Sequence, residues 1–138
     1  MSKKILAAYD GSESAMAAFN QALDLAGKYQ AEFHVLSVVR PPDIAEEVET
    51  EAIMENSLRH YQEIQEPLKA IANTQGVSAR FTVAIGHPAV KITTYAEENG
   101  IDLIVMGHRG KTFFERWLIG SVAKKVMSYA PCSVMVVR

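Results

Sequence analysis

Two short glycine-bearing segments hold the residues best suited to chemistry. The first reads Gly107-His108-Arg109-Gly110. Nine residues later comes Gly120-Ser121, at the head of the last stretch with helical spacing. Glycines at 107 and 110 let a backbone turn tightly and come close to a ligand. Gly120 and Ser121 stand where a helix begins, so main-chain N–H groups point outward and the helix dipole favours an anion. Ser121 adds a hydroxyl donor. Two donor clusters of this kind, brought together, can hold a chain of phosphates. One glycine alone would only shape a turn; the spaced set with Ser121 points to phosphate binding. Asp10 is a second polar group of interest. Followed by Gly11-Ser12, it suits a ligand contact or a turn that caps a helix.

Competing motifs fail on spacing. Gly110-Lys111-Thr112 invites comparison with a P-loop, but Val105 stands where that motif needs glycine. No G-x-G-x-x-G follows an apolar run. The histidines His34, His60, His87 and His108 lie in different segments, and no pair has the spacing of a zinc site on one helix face. His34 is expected in the core or sheet, His60 in solvent, and His108 as an exposed loop residue. Arg109, Lys111 and Arg116 can screen phosphate charge. Phe113, Phe114, Trp117, Leu118 and Ile119 form an apolar patch that should pack against the domain or a partner. The single Cys132 forms no internal disulfide and is expected to be small and buried. The acidic stretch Glu46–Glu55 suits a solvated helix face.

These groups need a frame. Five apolar runs, Ile5–Tyr9, Phe33–Val39, Ala79–Ile85, Ile101–Met106 and Val134–Val137, read as strands. The first, second and fourth are nearly continuous, as in strands covered on both faces. Helical stripes lie between them. Ala15, Phe19, Ala22, Leu23 and Ala26 make the first, with Ser12 or Ser14 as cap and Gly27 near its end. The stretch from Pro41 to Thr50 reads as a loop into a second helix, which carries Leu58, Tyr61, Ile64 (or Gln65), Leu68 and Ile71. Pro67 should kink or split that helix. Gly86-His87-Pro88 opens a third, with Ala89, Ile92 and Ala96 inward and Asn99-Gly100 closing it. Val122, Ala123, Val126, Met127 and Ala130 stripe the last, which Pro131 stops. Strict β-α alternation implies a parallel sheet with helices on both faces. Ligands then bind beyond the carboxyl ends of the strands. The loops after Tyr9, Val39 and Met106 matter most.

The bipartite glycine pattern resembles the nucleotide-binding signature of the ATP-binding branch of the universal stress protein family. Asp10-Gly11-Ser12, Gly86-His87-Pro88, Gly110-Lys111, Gly120-Ser121-Val122, Ala130-Pro131-Cys132 and the terminal strand fit the same family, so the resemblance spans the chain. It departs at Ala8-Tyr9, where Tyr9 is bulkier than usual, and at His108-Arg109. The expected fold is an open, doubly wound, Rossmann-like sheet of five parallel strands in the order 3-2-1-4-5, in one domain over residues 1–138. By resemblance, Asp10 would meet a ribose hydroxyl or help position a metal, and Val38 or Val39 would offer backbone groups to adenine. Gly107 would lie near the ribose, and Gly110, Gly120 and Ser121 would hold the phosphates. Ala8, Met106, Arg109 and Val122 complete the expected contacts. The implied ligand is ATP, with AMP or a cyclic nucleotide as alternatives, and Mg²⁺ would bridge phosphate oxygens.

Composition narrows the function. The chain has 138 residues, 49% hydrophobic and 22% charged, which suits one globular domain. Fourteen basic and sixteen acidic side chains give a formal charge of −2, which argues against a general nucleic-acid binder. No apolar run approaches bilayer length. The N-terminal apolar stretch is too short for a signal peptide, so a cytoplasmic protein is expected. No residue set is poised to activate a water at a γ-phosphate. The expectation is a nucleotide-responsive regulator with slow or no hydrolysis, acting on an unidentified protein partner. An ATPase or phosphotransferase, and a nucleotide-free adaptor, are the alternatives. The apolar strand Val134–Val137 should lie at a sheet edge and pair two copies in a homodimer.

Overall fold

A computed structural model describes residues 3–41, 47–109 and 119–138. Strands and helices alternate strictly: β1 (Lys4–Ala8), α1 (Glu13–Tyr29), β2 (Glu32–Val39), α2 (Glu47–Thr74), β3 (Ala79–Ile85), α3 (Pro88–Glu98), β4 (Leu103–Gly107), α4 (Ser121–Tyr129) and β5 (Ser133–Val137). The five strands form one sheet in the order β3-β2-β1-β4-β5, and every pairing is parallel. The three continuously apolar runs became β1, β2 and β4, the interior strands, as their composition requires.

Side-chain alternation along each strand divides the core between the two faces. Ile5, Ala7, Phe33, Val35 and Val105 meet Phe19 and Leu23 of α1 and Leu68 of α2 on one face. Leu6, Leu36, Ile104 and Met106 meet Ile92 of α3 and Val126 of α4 on the other. Phe19 and Phe33 stack at a tilt, with ring centroids 5.8 Å apart, and both are fully buried. Each such side chain contributes roughly 1.5–3 kcal/mol by leaving water.

Helix ends follow local chemistry, and the structure departs from expectation in α2 and α4. Ser12 caps α1, accepting from the Ala15 amide at 3.2 Å. Gly27 lies near the end of that helix, as expected; the helix runs to Tyr29 and closes at Gln30 in the left-handed region (φ 52°). Pro67 sits within α2 without splitting it. Pro67 and Glu63 are both exposed, so the carbonyl that loses its helical donor faces water rather than the core. Helix α2 also begins at Glu47, making the end of the expected loop helical. Pro88 opens α3 behind His87, and Asn99 closes it as expected. In α4, Ala123 and Val126 are buried but Met127 is 46% exposed. The inward stripe is therefore narrower than the spacing implied. Among the described residues no helix is long and apolar enough to cross a membrane.

Candidate functional site

The winding direction reverses between β1 and β4, and a cavity of about 450 Å³ opens there at the carboxyl ends of the strands. That volume is in the range of small-ligand pockets.

The first wall is built by the turn after β1. Gly11 takes φ 86°, which a residue with a Cβ rarely adopts. The turn lets the Ser12 amide donate to Asp10 Oδ1 at 2.9 Å. Asp10 therefore closes a turn and also lines the cavity, together with Ala8. Burial, and then the negative charge of Asp10, push the Tyr9 and Tyr61 phenols above their ordinary values. The Asp10 carboxylate is thus an electrostatic neighbour of both tyrosines.

The turn is tied down from below. Ser37 Oγ donates to the Tyr9 carbonyl at 2.6 Å, and Gln65 Nε2 donates to Ser37 Oγ at 3.0 Å and to the Thr82 carbonyl at 3.1 Å. Gln65 and Ser37 are both buried, so this polar chain is shielded from water. Within the stripe of α2, Gln65 rather than Ile64 is the buried member.

The opposite wall joins the two glycine segments. Met106 and Gly107 end β4 and Arg109 follows it; Gly120, Ser121 and Val122 open α4. The Gly120 amide donates to the His108 carbonyl at 2.6 Å, bringing the two segments into direct contact. Gly120 caps α4 without a side chain to accept from its first-turn amides. The Gly120 amide itself is spent on His108.

His108 is not an exposed loop residue. It is buried, and both its amide (2.8 Å) and its Nδ1 (3.2 Å) meet the Val137 carbonyl. A carbonyl only accepts, so Nδ1 carries the proton in that contact. The residue fastens the glycine segment to the end of β5. His34 is buried and His60 is exposed, as expected. Cys132 is half-buried rather than buried, and its thiol is pushed up by that partial burial and by Asp102.

Of the expected contacts, Val38 lies on the wall and Val39 does not. Val39 is buried, and its carbonyl accepts the Gly86 amide at 2.9 Å. Gly110, Lys111, Arg116 and the apolar set Phe113, Phe114, Trp117 and Leu118 lie outside the described residues. Several wall residues went unnoticed as site residues in the sequence, among them Arg40, next after Val39, and Tyr61 of α2. Arg40 falls in one of the three loops at the carboxyl ends, a usable signal. Tyr61 carried none, since its spacing matched a core stripe. Among the described residues no group of three ligating side chains is placed to hold a metal ion.

A family model described as the universal stress protein family matches residues 1–138. A universal stress protein of Methanocaldococcus jannaschii is 37% identical over 139 residues, spanning 99% of this chain and 82% of that protein. The solved structure of universal stress protein UspA from Lactobacillus plantarum superposes with a TM-score of 0.92 at 28% identity, covering 99% of this chain and 97% of that one. Two solved structures share the fold at lower identity. One is a universal stress protein in complex with cAMP (TM-score 0.76, 20% identity, 99% and 97% coverage). The other is the universal stress protein from Archaeoglobus fulgidus in complex with dAMP (TM-score 0.75, 19% identity, 99% and 98% coverage).

Proposed function

The chain belongs to the universal stress protein family, and on that premise we propose that it is an ATP-binding regulatory module with slow or no hydrolysis. The observation that carries this reading is the hydrogen bond from the Gly120 amide to the His108 carbonyl. It draws His108, just after β4, to the start of α4, so the end of β4 and a helix N-terminus line one cavity. Adenine nucleotides in two proteins of the same fold support the ligand class. AMP and a cyclic nucleotide are the alternatives to ATP at the same site.

The donor set suits a nucleotide better than a bare metal. Ser121, the α4 amides and Arg109 can meet phosphate oxygens, and Asp10 can accept from a ribose hydroxyl. Mg²⁺ would arrive on the phosphates and keep most of its waters, with Asp10 within the same cavity. Asp10 Oδ1 is already engaged by the Ser12 amide in closing the turn, and this structural role supports slow turnover. Regulation would act through a change in the surface offered to a protein partner. β5 lies at a sheet edge, and pairing through it would give a homodimer.

The test is to release and identify whatever co-purifies with the protein, then measure melting with added ATP and Mg²⁺. A bound adenine nucleotide, or a rise in melting temperature with ATP, is expected. Absence of both would remove the nucleotide reading and favour an adaptor. Turnover of roughly 1 s⁻¹ or more would replace the regulator with an enzyme. Light scattering at micromolar concentration checks the dimer, and a monomer there refutes it.

A further inference from the structure

The cavity has two chemically different ends. Gly120, Ser121 and Val122 form one, at the start of α4; Leu36 and Val38 of β2, Arg40 just beyond and Tyr61 of α2 form the other. Asp10 follows β1, the strand between β2 and β4. A carboxylate there drives an anionic group toward α4 and leaves the β2 end for a neutral one. That end is apolar on its β2 side and carries the Tyr61 ring and the flat Arg40 cation.

We propose that Tyr61 and Arg40 form the base-holding wall of the cavity and give it a preference for purine over pyrimidine nucleotides. The proposal rests on the nucleotide reading above and adds which residues choose the base. An aromatic ring offers its face to any nucleobase, and a guanidinium does the same through cation–π contact. Both gain with the area of the base, so the two-ring purine is favoured.

The backbone holds both residues in place. Tyr61 lies one helical turn before Gln65, on the face of α2 that also carries Leu68. Gln65 is 2% exposed and Leu68 1% exposed. The hydrogen bonds from Gln65 to Ser37 and Thr82 lock that turn against β2 and β3. Arg40 follows Val39, whose carbonyl is tied to the Gly86 amide. A wall fixed before binding loses less freedom when a base arrives.

The test is the ratio of ATP to CTP affinity, measured by titration calorimetry on the full chain. Wild type is expected to prefer ATP by about tenfold. Tyr61→Leu should bring the ratio to within about twofold of unity, Tyr61→Phe should keep it, and Arg40→Ala should reduce it by about threefold. A wild-type ratio near one overturns the proposal. So does a ratio unchanged in Tyr61→Leu, or an equal loss for both nucleotides, partial or complete. If Tyr61→Leu does not fold by circular dichroism, the exposed Arg40→Ala variant decides: a lowered ratio supports the proposal and an unchanged one overturns it. If wild type binds neither nucleotide, the nucleotide reading itself falls. Binding of ATP with no effect of these variants sinks only the proposal.

Discussion

Gly107, at the end of β4, lies against Ser14 in the first turn of α1: a Cβ at position 107 would stand 2.7 Å from the Ser14 carbonyl carbon and 2.9 Å from the Ala15 nitrogen. Both obstacles are backbone, so neither can swing aside. The glycine is required by helix-to-strand packing, and the close approach to a ligand expected from the sequence is not needed to explain it. Ser14 seals the same contact by donating its hydroxyl to the Arg109 carbonyl at 2.7 Å. Gly107→Ala should therefore cost about 1–3 kcal/mol, as overpacking does. Urea unfolding checks the loss. A variant as stable as wild type would contradict the packing account.

Ser121 offers a separation of stability from binding. It is exposed, begins α4 and lines the cavity, and the first turn of α4 has no acidic residue. Ser121→Asp should complement the helix dipole by about 0.3–1 kcal/mol. The same charge should repel phosphate at short range and weaken ATP binding by about tenfold or more. Melting and calorimetry together check this. ATP binding unchanged in Ser121→Asp would place the phosphates elsewhere.

The buried Gln65 gives a stability prediction. Gln65→Leu keeps an apolar stem but leaves the Thr82 carbonyl without this donor and the Ser37 hydroxyl without its partner on α2. Destabilisation of about 1–3 kcal/mol is expected. Equilibrium unfolding in urea measures it, and a loss of only a few tenths would show that water replaces Gln65.

Acid should weaken a different polar cluster. His34 is fully buried between Tyr95 Oη and Glu32 Oε2, each at 2.6 Å from a ring nitrogen. The Glu32 carboxyl is held below its ordinary 4.5, first by the His34 hydrogen bond, with Lys4 adding and partial burial opposing. A depressed carboxyl stabilises the fold above its unfolded value, and that contribution disappears as pH falls through the folded one. Glu32→Gln lacks the contribution at every pH. The stability gap between wild type and Glu32→Gln should be widest near neutrality and shrink as pH drops below about 4.5. Thermal melts at several pH values check it, and a gap constant down to pH 3 would contradict the linkage.

Much of the architecture was legible from local pattern. Continuous apolar runs marked β1, β2 and β4 as interior strands, and the 3.6-residue stripe of Ala15, Phe19, Ala22 and Leu23 marked the buried face of α1. These signals are local because a strand or helix repeats its geometry every few residues. The start of α3 at Pro88 was legible for the same reason, and the cap of α1 was narrowed to Ser12 or Ser14, of which the structure uses Ser12. Where Pro67 meets α2, local propensity lost, because packing of the Leu68 face holds the helix while the orphaned carbonyl stays in water.

The amino-acid sequence by itself determined the strand and helix order and placed most element ends within a residue or two. Only the tertiary structure decided that His108 is buried under Val137, that Gly107 is glycine because of Ser14, and that Arg40 and Tyr61 share a wall with Asp10. Each of those facts joins positions far apart in the chain. Such contacts depend on how helices settle on the sheet, and no periodicity within one segment records where another segment will come to rest.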